Sequence, residues 1–456
     1  MRFKILNLLY LLYLLYLLPV IYSEDDNNID GIISPFFCSG LPFLTDQKIC
    51  ADEYYNFFGR LYTDYKVLGI GNNNGYGWLG GDSVGSVMLN DNLFLFVFGD
   101  SFISFIEANN IWEGKRNSNC FLPHNSISLL SISNINNITN QFFVGNNKKN
   151  LRNDYGIIDS EKCPFKYSSN KLFFMRNNPL YFYPIGCDSL IQPTVVNSES
   201  KHILSWLYGG IANNNDLALL AGNFDENMKN VGFEFIIINN ALNDNSLNMN
   251  PFLWDKNSDR LKLETIDDIL WEKVNKINGK EYLIYGGKNL YPGVEIYLIK
   301  GTYNEIINDT KKYWGGNKWK TNIRELKPIE INNNKIFGPN YYSEFDYDNE
   351  NNLYFFYAID IDNNSEYSII KYNSDCITGP YDIDTNFTYY FPSWIKKRST
   401  EISCYNLRSH TSLAKKLEKK VILSYVCQGI YPYYSSYYFD ANLSSYFIYY
   451  PQFIIL

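Results

Sequence analysis

Two aspartates, Asp82 and Asp100, lie at matching positions in a predicted β-hairpin. Two apolar runs, Ser83–Leu89 and Leu93–Gly99, flank the short polar sequence NDN, and this pattern is typical of a hairpin with a three-residue loop. If the residues that border the loop face each other, the numbers of paired residues sum to 182 and Asp82 lies opposite Asp100. Cross-strand partners have Cβ atoms roughly 4.5–5.5 Å apart. The hairpin therefore predicts two neighbouring carboxylates at its open end.

Two carboxylates this close cannot both ionise comfortably, which favours one protonated and one ionised group. Glycoside hydrolysis needs such a pair, at roughly 5–5.5 Å in retaining enzymes and about 6.5–9.5 Å in inverting ones. The alternative is that Asp82 and Asp100 only cap strand ends or turns. A one-residue error in register would also place them on opposite faces of the hairpin.

Short apolar or alternating runs, separated by Asn-, Gly-, Pro- and Ser-rich breaks, continue almost to the end of the chain. Only Tyr303–Trp314 and Thr411–Lys420 have a helical pattern. The chain is therefore predicted to be all-β. So many strands without a long linker favour a closed β-propeller, and the length fits about five four-stranded blades with short helical insertions. The predicted strands after the hairpin are Ser126–Ile132, Lys171–Met175, Leu180–Pro184, Ile203–Tyr208, Leu217–Ala221, Gly232–Ile238, Tyr282–Tyr285, Glu295–Lys300, Leu353–Ala358, Tyr367–Lys371, Val421–Val426, Tyr446–Tyr449 and Phe453–Leu456.

The N-terminus has the pattern of a secretory signal peptide. Arg2 and Lys4 precede the apolar run Ile5–Ile21, and a polar stretch follows the predicted cleavage site near Ser23. A signal anchor is the alternative, because the apolar run approaches the length that spans a bilayer. We therefore predict a signal peptide (1–23), an N-terminal extension (24–67) and a propeller domain (68–456), located outside the cell or in the endolysosomal lumen and not membrane-bound after cleavage.

The composition restricts partners and cofactors. The net charge is −8 without a basic block, which argues against nucleic acid as a partner. Eight cysteines in a secreted chain predict disulfides, with Cys38 and Cys50 as the natural local pair. With three histidines and no CxxC motif, a zinc site is not expected. We predict a monomer that binds a polysaccharide or glycan and needs no metal or organic cofactor.

Several segments, in order, resemble a secreted propeller family whose bacterial members include endo-D-arabinanases and whose architecture is related to five-bladed glycosidases. The sequence GGDSVGSVMLNDNLFLFVFGDSFIS and the following HNSISLL resemble its first blade. The resemblance extends from Leu68 to Leu456. The later matching segments are Ile269–Gly287, Glu295–Trp319, Ser368–Tyr381, Cys404–Leu413, Val421–Cys427 and the closing YYPQFIIL.

This resemblance implies hydrolysis of glycosidic bonds by two aspartates of the first blade, at the positions of Asp82 and Asp100. The chain departs from the family pattern at three places. His410–Leu413 reads HTSL where the family has His-Pro-Glu-Leu, Gly379–Tyr381 ends in tyrosine where the family has tryptophan, and Asn239–Asn250 matches nothing in the family. These departures bear first on the choice of substrate.

Further residues are candidates for contact with a sugar, each with a structural alternative. Asn125 and His410 are predicted to bind substrate, or else to be a turn residue and a satisfied loop histidine. Trp78 and Tyr76 precede Asp82 and are predicted to form a stacking platform, with core packing as the alternative. Glu272 and Glu344 lie close to the starts of later strands, and either one is a candidate for a third acidic group.

Two other classes of function compete with hydrolysis of glycosides. A lectin-like propeller would use the acidic pair to hydrogen-bond sugar hydroxyls without cleaving the glycan. An esterase of the GDSL type would use Ser101 in the sequence FGDS as its nucleophile. That esterase requires an alternating α/β chain and a late Asp-x-x-His motif, whereas Asn406-Leu407-Arg408-Ser409 precedes His410.

Overall fold

β-strands make up most of the chain that the structure describes. This computed structural model describes residues 77–104, 106–107, 115–116, 124–134, 137–143, 180–182, 204–224, 229–242, 258–266, 268–277, 279–290, 293–361, 367–391, 402–429 and 451–455. The predicted all-β class is confirmed for these residues. The predicted strands Lys171–Met175 and Tyr446–Tyr449, the signal peptide and the Cys38–Cys50 pair lie outside them.

The strands are numbered in chain order. They are β1 (Gly77–Gly81), β2 (Gly85–Asn90), β3 (Leu93–Phe98), β4 (Ser101–Ser104), β5 (Ile106–Glu107), β6 (Lys115–Arg116), β7 (Ser126–Asn134), β8 (Asn137–Phe143), β9 (Leu180–Phe182), β10 (Leu204–Asn213), β11 (Asp216–Phe224), β12 (Asn230–Ile238), β13 (Asp259–Leu263), β14 (Leu270–Lys276), β15 (Glu281–Leu290), β16 (Gly293–Thr302), β17 (Lys312–Trp314), β18 (Trp319–Lys320), β19 (Asp346–Asp348), β20 (Leu353–Ile361), β21 (Tyr367–Ser374), β22 (Asp382–Tyr390), β23 (Ile402–Ser409), β24 (Ile422–Gly429) and β25 (Gln452–Ile455).

The described helices are short, and both predicted helices are longer than the observed ones. Helix α1 (Tyr303–Ile307) begins at a capping box, in which Thr302 and Glu305 satisfy each other's backbone N–H groups. It ends before Asp309, whose φ of 59° is left-handed, so the predicted helix over 303–314 is wrong beyond Ile307. Helix α2 (Thr411–Lys416) likewise stops short of Lys420. Two 3-10 turns cover Ile323–Glu325 and Pro339–Tyr341.

Five sheets of three to five strands follow one another along the described chain. We call them sheets one to five; two further two-stranded ladders are β1-β4, which continues the β2-β3 hairpin beyond a break, and β5-β6. Neighbouring strands of these sheets pair antiparallel, apart from β8 and β9. The strand orders are β2-β3-β7-β8-β9, β10-β11-β12-β13, β14-β15-β16-β17-β18, β19-β20-β21-β22 and β23-β24-β25.

Each sheet packs its apolar face on the next. Buried side chains of sheets one and two share one hydrophobic cluster, those of sheets two and three a second, and those of sheets three and four a third. Phe391, just after sheet four, stacks edge-on against Tyr425 of sheet five at 4.6 Å between ring centroids. His410, at the end of β23, lies 5.4 Å from the ring of Phe96 in sheet one. The fifth sheet therefore contacts the first.

A disulfide joins the first two strands of sheet five. Cys404 of β23 and Cys427 of β24 face each other in register and are bonded. Among the helices in the described part of the chain, none has the length and apolar character needed to cross a membrane.

Candidate active site

The first hairpin places Asp82 and Asp100 opposite each other on its two strands. The predicted register is confirmed on both sides of them, because Gly81 pairs with Ser101 and Gly85 with Val97. The backbone N–H of Asp82 donates to the carbonyl of Asp100 at 3.1 Å. Close to the loop the register shifts by one residue, since Asn90 and not Leu89 pairs with Leu93.

Both aspartates lie where the strands of the hairpin are interrupted. One strand is divided into β1 and β2 by Asp82, Ser83 and Val84, and the other into β3 and β4 by Gly99 and Asp100. Ser83 has a φ of 53°, a left-handed conformation that a continuous strand cannot contain. This break gives the two acidic side chains positions that a regular ladder would not.

The Asp82 carboxylate packs against Gly99, which leaves room for it because glycine has no side chain. A Cβ atom at Gly99 would lie 2.5 Å from Asp82 Oδ1. The other oxygen, Oδ2, accepts a hydrogen bond from the Tyr405 hydroxyl at 3.1 Å. Tyr405 belongs to β23, so sheet five helps to orient a side chain of the first hairpin.

The Asp100 carboxylate is held by two rings. Its Oδ1 atom lies 2.7 Å from Trp206 Nε1 and 2.7 Å from His124 Nδ1. An indole N–H can only donate, so Trp206 of sheet two fixes this oxygen of Asp100, which is 9 % exposed.

The buried phenol of Tyr208 on β10 is influenced by the charges of three carboxylates. Burial raises the pKa of Tyr208, and the negative charges of Glu272, Asp82 and Asp100 raise it further against the opposing effect of Arg408. Arg408 of β23 donates to the backbone carbonyls of both Tyr208 and Glu272, and Tyr405 of the same strand donates to Asp82, so Glu272 of β14 belongs to the same region as the aspartate pair.

Glu272 is a buried carboxyl group with an unused oxygen. It is 4 % exposed, and its Oε2 atom has no hydrogen-bond partner among the described residues. Lys273 Nζ lies 3.9 Å from that oxygen. Burial raises the pKa of Glu272, and the positive charges of Lys273 and Arg408 oppose this effect. A carboxyl group that keeps its proton is suited to act as an acid.

The second candidate for a third acid, Glu344, is engaged with the buried Arg408. Arg408 Nε lies 3.0 Å from Glu344 Oε1, and Glu344 Oε2 accepts the backbone N–H of Ser409 at 2.6 Å. Arg408 also donates to the carbonyl oxygens of Glu272, at 2.7 Å, and of Tyr208. Glu344 is thus occupied in fixing β23 against β10 and β14, and Glu272 is the better candidate.

Asn125 and His410 are buried and bonded to protein groups. Asn125 Nδ2 donates to the carbonyl of Ser205 at 2.9 Å. The ring nitrogens of His410 lie 2.9 Å from the Ser86 hydroxyl and 2.8 Å from the Ser424 hydroxyl. The structure does not bring His410 to the aspartates through a hydrogen bond, and the predicted sugar contacts of both residues stay predictions.

His410 is expected to make the stability of the fold depend on pH. Burial, with a smaller effect of Arg408, lowers the pKa of His410 to about 3. The unfolded chain takes up this proton below about pH 6.5, so stability present above that pH is lost as the pH falls towards 3, by up to about 1.4 kcal/mol per pH unit. Urea unfolding of wild type and His410→Gln at pH 7 and pH 5 measures this loss. An equal loss in the variant, which carries no imidazole, would contradict it.

The remaining predicted residues have different outcomes. Trp78 is in β1, opposite Ile103, while Tyr76 lies outside the described residues. Ser101 is fully buried; its hydroxyl lies 2.7 Å from that of Ser126 and donates to the carbonyl of Gly99 at 3.3 Å. Neither partner is a base, so the geometry does not support Ser101 as a nucleophile.

Three groups that hold the aspartates were not identified from the sequence as site residues. His124 is part of the HNSISLL segment, but its sequence distance from Asp100 carries no signal of contact. Trp206 and Tyr405 belong to sheets two and five, and only the packing of those sheets brings them to sheet one. Within the described residues, no cluster of three or more His, Cys, Asp or Glu side chains has the arrangement of a metal site.

The fold and site define an all-β protein in which side chains from several sheets surround a group of carboxylates. The family model described as "Domain of unknown function (DUF5005)" matches residues 71–456. The chain belongs to this family. Comparison with curated protein sequences gives no match.

Among solved structures, the chain is similar to a Bacteroides ovatus ATCC 8483 protein described as a "putative hydrolase". The two share 16% identity and a TM-score of 0.52, over 86% of this chain and 88% of that one, which shows a common fold. An exo-1,5-alpha-L-arabinanase from a bovine ruminal metagenomic library matches with a TM-score of 0.36 and 9% identity, over 82% of this chain and 92% of that one. The catalytic domain of a Coprinopsis cinerea GH62 alpha-L-arabinofuranosidase matches with a TM-score of 0.34 and 11% identity, over 78% and 86%.

Proposed function

We propose that this chain is a five-bladed β-propeller that hydrolyses glycosidic bonds of a polysaccharide. Support for the blade count comes from the packing of the sheets, each on the next and the fifth against the first. Such closure leaves the first strands of the sheets around a common axis. Arg408 of β23 binds backbone carbonyls of β10 and β14, as expected of a residue near that axis.

The observation that carries the proposed activity is the group of carboxylates with unlike surroundings. Asp100 accepts a hydrogen bond from the Trp206 indole and lies 2.7 Å from His124 Nδ1, and the Asp82 carboxylate lies against Gly99. Glu272, in contrast, is buried, and one of its oxygens has no hydrogen bond within the part of the chain that the structure describes. Hydrolysis of a glycoside needs an ionised carboxylate and a protonated carboxyl group in one site.

We assign the roles accordingly. Asp100 is the base or nucleophile, and Asp82 is its catalytic partner, which stabilises positive charge on the sugar in the transition state. Glu272 donates the proton to the leaving oxygen. The resemblance to a family that includes endo-D-arabinanases makes arabinans the first substrates to test. The proposed site of action is outside the cell or in the endolysosomal lumen, after removal of residues 1–23.

Product release from a panel of arabinans and other cell-wall polysaccharides tests this function. A hydrolase generates new reducing ends and shorter products. A lectin-like propeller would bind one of the glycans and release nothing. An esterase would lose activity on treatment with a serine-directed phosphonate, whereas the proposed hydrolase would not.

The pH profile of hydrolysis is expected to depend on Glu272. Because burial raises its pKa, the acid keeps its proton above the usual range of a glutamate, and the rate should fall as the pH rises through that raised value. Glu272→Gln should lower the rate by roughly 10²- to 10⁴-fold and remove this alkaline limb. The loss should shrink for an aryl glycoside, whose leaving group needs little protonation.

Glu264→Gln is the matched control, since Glu264 is exposed. Its rate and pH profile should equal those of the wild type. An unchanged alkaline limb in Glu272→Gln, or a loss of the same size with the aryl glycoside, would exclude Glu272 as the proton donor.

A further inference from the structure

Phe337 is an exposed aromatic ring with a fixed position. Its exposed fraction is 65 %, compared with 52 % for Tyr390 and 44 % for Leu290. The ring packs edge-on against Tyr341, with 5.3 Å between centroids and 67° between the planes. An exposed ring supported from one side offers an apolar surface to a ligand.

The segment Phe337–Tyr341 lies next to the proposed acid. Lys273 Nζ donates to the carbonyl of Pro339 at 2.9 Å, and the same ammonium group lies 3.9 Å from Glu272 Oε2. A Cβ atom at Gly287 would lie 2.7 Å from Pro339 Cβ, and Gly287 pairs with Leu270 at the start of β14. The segment therefore packs at the end of β14 where Glu272 lies.

The other side of this segment contacts sheet five close to Asp82. The hydroxyl groups of Tyr341 and Ser403 are 3.2 Å apart. Ser403 precedes Tyr405 by two residues on β23, and Tyr405 donates to Asp82. The segment thus extends between the two strands that carry the acid and the tyrosine bonded to Asp82.

An amide accompanies the aromatic ring. A Cβ atom at Gly338 would lie 3.2 Å from Asn289 Oδ1, so the exposed Asn289 side chain is adjacent to the residue that follows Phe337. A sugar ring has an apolar C–H face and a polar edge of hydroxyl groups. An aromatic face beside an amide matches both, as in ligand sites with apolar walls and few polar groups.

We propose that Phe337 forms a subsite that stacks against a sugar ring of the polysaccharide, with Asn289 binding its hydroxyl groups. This inference rests on the proposed function. Phe337 is two residues from Pro339, within about 7 Å along the chain, and Pro339 contacts Lys273 beside Glu272, so we assign the subsite to a sugar near the cleaved bond. It contributes to the binding of longer substrates.

The test compares Phe337→Ala with wild type on short and long linear arabino-oligosaccharides, with xylo- and galacto-oligosaccharides as further probes. Phe337→Ala should raise KM for the long substrate roughly 3- to 10-fold, with kcat and the KM of an aryl glycoside nearly unchanged. Phe337→Trp should restore the KM. Tyr390→Ala is the matched control, because Tyr390 is an exposed aromatic on β22, the last strand of sheet four.

Binding of the same oligosaccharides to Asp82→Asn and to Asp82→Asn with Phe337→Ala separates this inference from the proposed function. If wild type hydrolyses a long substrate and Phe337→Ala behaves as Tyr390→Ala does, the subsite is wrong and the hydrolase stands. If nothing is hydrolysed but Phe337→Ala weakens binding, the subsite stands and the hydrolase is wrong. If none of the probes is bound or cleaved, both are wrong.

Discussion

Asp100→Asn is expected to abolish hydrolysis, with a fall in kcat of at least about 10²-fold. The substitution keeps the shape of the side chain but removes the negative charge that the reaction needs. The indole N–H of Trp206, which points at Oδ1 from 2.7 Å, still meets an amide oxygen. The loss should therefore appear in kcat and not in folding, as measured by initial rates and by thermal unfolding.

Asp91→Asn provides the control within the same hairpin. Asp91 is exposed in the turn between β2 and β3, so the same chemical change is made at the other end of the hairpin from the carboxylate pair. Its rate should equal that of the wild type. A folded Asp100→Asn variant with a wild-type rate would remove Asp100 from the mechanism.

Arg408→Met is expected to destabilise the fold by about 3–5 kcal/mol. Arg408 is 2 % exposed and Glu344 3 %, and the pair is joined at 3.0 Å. Loss of the guanidinium group leaves the Glu344 charge buried without its counter-charge. It also leaves the carbonyls of Tyr208 and Glu272 without this donor. Urea unfolding, followed by intrinsic fluorescence, measures the change.

Two further variants identify the cause of this destabilisation. Arg324→Met, at an exposed arginine, should have little effect. Glu344→Gln combined with Arg408→Met should recover part of the stability, because it removes the uncompensated charge. If Arg408→Met unfolds at the same urea concentration as the wild type, the guanidinium group does not hold these strands together.

The strand content of this fold was predictable because the spacing of apolar residues along the sequence reflects which residues are buried. All six residues of β3 are buried, and alternate residues of β2 are buried, as expected for a central strand and its neighbour. The helix predicted over 303–314 was wrong in its second half for a local reason. Asp309 takes a left-handed conformation, and Tyr313 then pairs with Ile299 of β16, which no helical spacing reveals.

The position of Asp82 opposite Asp100 was predictable because it depends on the register of one hairpin. The pairing of the residues next to the hairpin loop was not predictable. Asn90 Oδ1 accepts the backbone N–H of Asn92 at 3.0 Å within the turn, and the pairing of Leu93 is shifted by one residue. The hydrogen-bond partners of the carboxylates could not be predicted from the sequence either, because Trp206 and Tyr405 are separated along the chain by 106 and 323 residues from the aspartates that they contact. Such contacts arise from the packing of whole sheets.

The most direct test of the proposed activity is product release by wild type and Asp82→Asn, measured side by side on a panel of arabinans and other cell-wall polysaccharides. Shorter oligosaccharides from the wild type, and none from a variant that unfolds at the same temperature, are the predicted result. Binding of a glycan without release of product by the wild type would contradict the hydrolase and favour a glycan-binding propeller. Equal product release by both proteins would show that hydrolysis does not depend on Asp82.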